Sequence, residues 1–165
     1  MIQSIPTARH RQRWRAFSLL ELTATVAVIG LVATMALQRY GSTTLGTTRA
    51  EGYTRRLVLD LRQAQRRAIA TGDDHYVAFA SDSGEIVSHT LMRDLPGGDA
   101  AADETVAVPQ GVTVTSADTA WTYDFEGAVS GSSGGSTVRV DSSTAYWVIT
   151  LYQATGALRS QRFAP

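Results

Sequence analysis

The stretch from Arg13 to Gln38, "RWRAFSLLELTATVAVIGLVATMALQ", decides how this chain is organised. From Phe17 to Leu37 it holds 21 residues whose only charge is the carboxylate of Glu21. At 1.5 Å per residue, a helix of this length is about 32 Å long, which is enough to cross a hydrocarbon core of about 30 Å. The stretch therefore predicts a membrane-spanning helix with one carboxylate near its start.

The charges that flank this helix predict its orientation. Four arginines precede it, at positions 9, 11, 13 and 15, whereas Arg39 stands nearly alone after it until Arg49. Positively charged flanks stay in the cytoplasm. We therefore expect a cytoplasmic N-terminus and a C-terminal part on the far side of the membrane.

Charge is also divided between the two parts of the chain. Residues 1–67 hold eleven arginines against three acidic residues, a balance of +8, and residues 68–165 hold four against twelve, a balance of −8. The net charge of zero gives no general indication of nucleic-acid binding. The chain has no cysteine, which excludes a disulfide framework and a cysteine-ligated metal site.

The residues alone leave two interpretations of the N-terminal segment open, and a family resemblance, given below, adds a third. A secretory signal peptide is one, although 21 residues is long for its apolar region and Thr34 and Ala36 form only a weak cleavage site. A plain membrane anchor is another, in which Glu21 lacks a partner and costs up to about 2.5–3.5 kcal/mol. In the third, the carboxylate meets a cation supplied by a neighbouring molecule.

The motif "R-A-F-S-L-L-E" favours the third interpretation, because it resembles the class III signal of type IV pilins and of the pseudopilins of type II secretion. The resemblance implies a cut between Ala16 and Phe17 and N-methylation of Phe17. It also implies that Glu21, as the fifth residue of the mature chain, pairs with the terminal amine of a neighbouring subunit during assembly. Two positions depart from the family pattern: Ala16 stands where glycine is usual, and Gln38 stands where a helix-kinking proline is often found.

This resemblance also implies partners and a location. The expected partners are other pilin or pseudopilin subunits, the prepilin peptidase and the inner-membrane assembly platform. The chain would cross the inner membrane once, with its C-terminal domain in the periplasm, and later enter a pseudopilus or pilus. No cofactor is implied.

The region after the anchor predicts a second helix. Residues 41–48, "GSTTLGTT", are poor helix formers and predict either a loop or a weak point in one long helix. From residue 49 to 70 an apolar stripe recurs at helical spacing, formed by Leu57, Leu61, Ala64 and Ala68 and widened by Val58 and Ile69. Arg55, Arg62 and Arg66 lie outside that stripe, and Glu51 is placed for an ion pair with Arg55.

Beyond residue 74 the pattern alternates and predicts short strands. These cover residues 75–80, 85–92, 111–116, 120–125, 136–140, 145–152 and 157–163. Glycine- and aspartate-rich turns separate them. The predicted fold is α+β: an N-terminal transmembrane and assembly helix continues into an amphipathic helix packed on a mainly antiparallel sheet, as in pilins.

The order of motifs in this part is similar to H-type minor pseudopilins and FimT-like minor pilins (the GspH/FimT family). The matching segments are "LRQAQRRAIATGDDHYVAF", "YDFEGAVSG" and "VITLYQATGALRSQ". The predicted organisation is a basic leader that is removed (1–16), the assembly helix (17–40), a linker or weak point (41–48) and a periplasmic pilin-like domain (49–165).

The sequence does not indicate an enzyme. Its histidines are His10, His75 and His89, and no G-x-S-x-G motif frames a serine. The spacing of histidines and acids fits neither a zinc motif nor an EF-hand, so the acidic loops around residues 72–74 and 97–104 are interpreted as solvated.

A small basic cluster could contact nucleic acid. Arg159 and Arg162 lie near the C-terminus and Arg139 lies on an earlier strand. Such side chains can hold phosphates without sequence preference, but ordinary surface charge explains two or three arginines as well.

The sequence thus predicts a minor pseudopilin or minor pilin that assembles through its N-terminal helix and supports type II secretion. One alternative is a FimT-like minor pilin acting in pilus biogenesis or DNA uptake. Another, of a different class, is a single-pass anchored periplasmic binding domain that does not assemble.

Overall fold

A computed structural model describes residues 18–130 and 136–165, with the backbone alone at residues 37–43. The chain divides into two units, Met1–Arg39 and Tyr40–Pro165. Each unit is described separately below.

Helix α1 runs from Leu19 to Thr71. Residues 41–48, expected to form a loop or a weak point, therefore have helical backbone. Gly72 follows the last residue of the helix and has a φ of +76°. Its N–H donates to the carbonyl of Ala68 at 2.9 Å. A glycine in this left-handed conformation is a common helix terminator, because it has no side chain to strain the backbone.

Within the second unit, one face of α1 is buried. Leu57, Leu61, Ala64 and Ala68 are fully buried, which confirms the predicted stripe. Ile69 was expected to widen this face but is 55% exposed, because it lies about 100° around the helix from the fully buried Ala68. Glu51 and Arg55 form the predicted ion pair, with an O–N distance of 2.5 Å.

In the described residues after the helix, ten strands form two antiparallel sheets. Their bounds are β1 His75–Asp82, β2 Glu85–Arg93, β3 Ala100–Ala101, β4 Val106–Ala107, β5 Thr113–Ser116, β6 Ala120–Tyr123, β7 Val129–Ser130, β8 Thr137–Asp141, β9 Tyr146–Tyr152 and β10 Ala157–Phe163. The first sheet has the order β3-β2-β1-β6-β7, with β4 also paired to β2, and the second has the order β10-β9-β8-β5. All seven predicted strands are present, and the two-residue strands β3, β4 and β7 were not predicted.

The core lies between the helix and the inner faces of both sheets. Alternation along the strands buries Val77, Leu91 and Trp121 from the first sheet and Val114, Val140 and Ile149 from the second. A strand places successive side chains on opposite faces, so the alternating apolar residues are the ones that reach the helix. The architecture is α+β, as predicted.

Candidate assembly site

The predicted processing site, between Ala16 and Phe17, lies outside the described residues, as does the predicted N-methylation at Phe17. Ser18 and Glu21 lie within them. The N–H of Glu21 donates to the side-chain oxygen of Ser18 at 3.2 Å and to its carbonyl at 3.0 Å. Ser18 is therefore the N-cap of α1, and Glu21 is the acidic residue of its first turn.

This geometry gives Glu21 a local role that the sequence interpretation missed. A carboxylate in the first turn interacts favourably with the positive end of the helix dipole. The spacing of Ser18 and Glu21 follows the S-x-x-E capping pattern, so the signal was readable in the sequence. Any experiment on Glu21 must separate this capping role from pairing with another subunit.

The helix from Leu19 to Ala36 is apolar and fully exposed in the chain. Its mean hydropathy is 2.0, and none of its residues is buried. Leu19 is 80% and Ile29 67% exposed. Since a core helix would be covered by its own domain, this segment has the length and composition to cross a membrane or to pack among other helices.

The threonines of this segment do not prevent such burial. The hydroxyls of Thr23, Thr25 and Thr34 donate to the carbonyls three residues earlier, at 2.9, 2.8 and 2.8 Å. Their polar groups are thus satisfied within the helix, which an apolar environment requires.

In the second unit, a buried polar network joins α1 to β2. The Tyr53 hydroxyl lies 2.9 Å from Nδ1 of His89, and Nε2 of His89 lies 3.0 Å from Oδ2 of Asp60. Arg56 donates to the same Asp60 oxygen at 3.0 Å. Because the carboxylate only accepts, Nε2 carries the proton and Nδ1 accepts from the tyrosine.

Burial shifts the acid–base behaviour of this network. Burial lowers the pKa of His89, and this effect outweighs the hydrogen bond that the ring donates to Asp60, which raises the pKa. Burial and, to a lesser extent, the charge of Asp60 raise the pKa of Tyr53. Both groups are therefore held neutral at neutral pH, while Arg56 compensates the charge of Asp60.

The network contains a histidine and a carboxylate, as many catalytic sites do, but a substrate could not reach them. Only 1% of the His89 side chain is exposed, and both of its ring nitrogens are occupied by protein partners. His75 is likewise buried, and its Nδ1 lies 3.0 Å from the carbonyl of Asp73. Both histidines are therefore held by hydrogen bonds to other groups of the fold.

The acidic loops bind protein groups. Asp73 pairs with Arg93, and Asp99 accepts a hydrogen bond from the Tyr76 hydroxyl at 2.6 Å. Within residues 18–130 and 136–165, no group of three histidine or acidic side chains converges on a common point.

The three predicted basic residues do not form one cluster. Arg139 and Arg159 lie on the outer face of the second sheet, whereas Arg162 lies on the face turned toward α1. Arg139 is held by both carboxylate oxygens of Asp141, at 2.6–2.9 Å, and stacks 4.2 Å from the ring of Tyr146. Arg162, by contrast, lines a surface hollow together with Arg55 and Arg62 of the helix.

Two glycines of the C-terminal motifs meet α1 at one point. The side-chain amide of Gln65 donates to the carbonyls of Gly127, at 2.9 Å, and Thr155, at 3.1 Å. A Cβ on Gly156 would lie only 2.1 Å from the Gly127 carbonyl oxygen, and φ at Gly156 is +62°. The "FEG" and "ATG" segments thus need glycine to close against the helix.

Comparison with solved structures finds this fold in pilus proteins. The type IV minor pilin FimU of Pseudomonas aeruginosa PAO1, in space group P65, aligns with a TM-score of 0.54 at 16% identity over 72% of this chain and 96% of that chain. The same protein in space group P21 aligns with a TM-score of 0.50 at 14% identity, over 78% of this chain and 96% of that chain. The minor pseudopilin EpsH of the Type 2 Secretion System of Vibrio cholerae aligns with a TM-score of 0.49 at 18% identity, over 73% of this chain and 97% of that chain.

No protein-family model and no curated protein matches the sequence. At these identities, the likeness to FimU shows the fold alone. The chain therefore has a pilin-like α+β fold, with an apolar N-terminal helix preceding a domain built on antiparallel sheets.

Proposed function

We propose that this chain is a minor pilin or pseudopilin, which is inserted with its N-terminus in the cytoplasm and assembles into a filament through its N-terminal helix. The observation that carries the proposal is the fully exposed apolar segment Leu19–Ala36, with Glu21 in its first turn, on a chain with a pilin-like fold. The proposed role is structural, not enzymatic.

The proposed mechanism has two steps. The prepilin peptidase removes residues 1–16 and methylates the amine of Phe17. That amine then pairs with Glu21 of a neighbouring subunit, so that two charges costly in an apolar setting neutralise each other and fix the register of adjacent helices. The inner-membrane platform and other subunits complete the assembly.

The processing step is tested by the intact mass and N-terminal sequence of the protein from membranes of cells that have the prepilin peptidase. We expect a chain that begins at N-methylated Phe17. A chain that retains residues 1–16 would contradict the proposal and favour an anchored binding domain that does not assemble. A cut near Ala36 would indicate a secretory signal peptide instead.

The pairing step is tested by Glu21→Gln, which removes the charge at nearly constant shape. We expect lost incorporation into filaments at normal expression, because the terminal amine would remain unpaired among apolar helices. Ser18→Ala is the matched control, since it removes the cap and leaves the carboxylate. Equal incorporation of Glu21→Gln and wild type, or equal loss in Ser18→Ala, would refute pairing as the role of Glu21.

The order of the motifs fits both filament systems, and of the two we propose the pseudopilus of type II secretion. The alternative is a FimT-like subunit of a type IV pilus. A deletion strain separates them: loss of secretion with intact twitching and DNA uptake supports the first, and the reverse supports the second.

A further inference from the structure

An open trough lies between the exposed side of α1 and strand β10. Its helix side holds Arg55, Leu59 and Arg62, and its strand side holds Ser160 and Arg162. Its volume is about 420 Å³, and a second hollow of about 430 Å³ continues it past Leu59 and Arg62. The trough therefore follows the helix along much of the length of β10.

The trough is cationic over an apolar floor. Trp147, Val58 and Leu59 supply the apolar surface, and Leu59 is 54% exposed. Four arginines line the two hollows, at positions 55, 62, 66 and 162, against the single carboxylate of Glu51.

Within the described part of the chain, three of these four arginines, Arg62, Arg66 and Arg162, form no ion pair. The fourth is paired with Glu51. Arg162 instead lies over the ring of Trp147, 5.5 Å from its centroid. Arginine is well suited to bind carboxylates, because its planar guanidinium can donate two parallel hydrogen bonds.

The strand that borders the trough is an edge strand. Among the described residues β10 pairs with β9 alone, and its seven residues run along the margin of the second sheet. Such an edge presents unpaired N–H and C=O groups that can accept one more strand. Alternate side chains of an added strand would point toward the flank of α1, where Leu59 and Arg62 lie.

We propose that the trough binds an extended acidic segment of another protein, which adds to β10 as a further strand. Carboxylates of that segment would pair with Arg62 and Arg162, and an apolar side chain would cover Leu59 and Trp147. The apolar surface of Val58, Leu59 and Trp147 favours a protein segment, whose apolar side chains can cover it, over a nucleic-acid backbone. The inference goes beyond the proposed function, because it requires neither cleavage nor Glu21.

The test uses the full chain in detergent micelles and a fluorescent synthetic peptide with the repeat Glu-Thr-Val-Thr, so that one face of the added strand presents both glutamate and valine. One control peptide has glutamine in place of glutamate, and another has N-methyl groups on alternate amides, which prevents strand pairing but keeps the charge. The protein variants are Arg62→Gln with Arg162→Gln and, as matched control, Arg159→Gln on the opposite face of the same strand.

We expect saturable binding of the glutamate–valine peptide, with affinity roughly tenfold weaker or worse for both control peptides and for the double variant. Arg159→Gln and Glu21→Gln should bind like the wild type. Thermal unfolding of each variant checks that it is folded.

Three results would overturn the proposal: no saturable binding, equal binding of the N-methylated peptide, or an equal loss in Arg159→Gln. A short DNA duplex that binds more tightly than the peptide, and loses affinity in the double variant, would overturn it in favour of a nucleic-acid surface.

Discussion

At the scale of single residues, three tyrosine hydroxyls occupy different settings. Tyr53 bonds the buried ring of His89. Tyr76 bonds the exposed Asp99, and burial together with that hydrogen bond raises its pKa to about 12. The Tyr123 hydroxyl is buried and has no partner among the residues that the structure describes.

These settings predict different costs for removing each hydroxyl. Tyr53→Phe leaves Nδ1 of His89 buried and unsatisfied, so we expect the free energy of unfolding to fall by about 1–3 kcal/mol. Tyr76→Phe should cost less than about 1 kcal/mol, because water can solvate Asp99. Tyr123→Phe should be nearly neutral or slightly stabilising. Denaturant unfolding measures all three, and equal losses at Tyr53 and Tyr76 would contradict the assigned role of the network.

The depressed pKa of His89 predicts a pH dependence. Between its lowered pKa in the folded state and about 6.5 in the unfolded state, the unfolded chain binds more protons. Stability should therefore be full above about pH 6.5 and fall as the pH decreases below it. The groups that face the ring are Tyr53 and Asp60, with Arg56 on the same carboxylate.

Unfolding measured from pH 7.5 down to about pH 5.5 checks this prediction, and His89→Asn should remove most of the slope. NMR titration of the ring provides an independent reading that does not depend on a variant. A His89 midpoint above about 6.5 would contradict the prediction.

At the scale of elements, the contact of two loops with α1 depends on glycine. Gly156 lies against the Gly127 carbonyl and Gln65, so a methyl group there forces the loop away from the helix. Gly72 has a similar φ of +76°, but a Cβ there would meet nothing within 4 Å. The two positions therefore separate backbone strain from a steric clash.

We expect Gly72→Ala to lower the free energy of unfolding by about 1–2 kcal/mol, the cost of the left-handed backbone alone. Gly156→Ala should cost at least about 3 kcal/mol, because overpacking adds to that strain. Chemical denaturation of both variants measures the difference. Equal costs would mean that the loop relaxes without loss and that the glycine contact is unimportant.

At the scale of the whole molecule, the two units differ in the exposure of their apolar side chains. The first exposes a continuous apolar helix, whereas the second buries its apolar residues in its own core. We therefore expect residues 40–165, expressed alone, to be soluble, monomeric and cooperatively folded, and the full chain to partition into membranes. Sedimentation and circular dichroism check this, and an aggregated or unfolded fragment would contradict it.

Much of the fold could be predicted because the sequence pattern is local. A 21-residue apolar run, helical spacing from Leu57 to Ala68 and alternation in the strands each depend on residues close in sequence. The short strands β3, β4 and β7 were not predicted, since two residues carry no period and pair only because longer strands pass beside them.

The sites were less predictable than the fold. The contact between Tyr53 and His89 joins residues 36 positions apart, and the Gln65 amide reaches a carbonyl 90 positions away. The sequence interpretation grouped the three basic residues in one cluster. Strand alternation instead places Arg162 on the opposite face of the sheet from Arg139 and Arg159.

The sequence by itself determined the elements of this protein: one long apolar helix with a single early carboxylate, a second helical stripe and a series of alternating strands. Only the tertiary structure decided which side chains come together across those elements: Tyr53 bonds His89, Gln65 bonds two loops, and Arg62 and Arg162 line the same trough. The physical reason is the separation along the chain of the residues that interact. Hydrophobic periodicity is set by neighbours in the chain, whereas these contacts depend on strand register and on how the helix lies over the sheets.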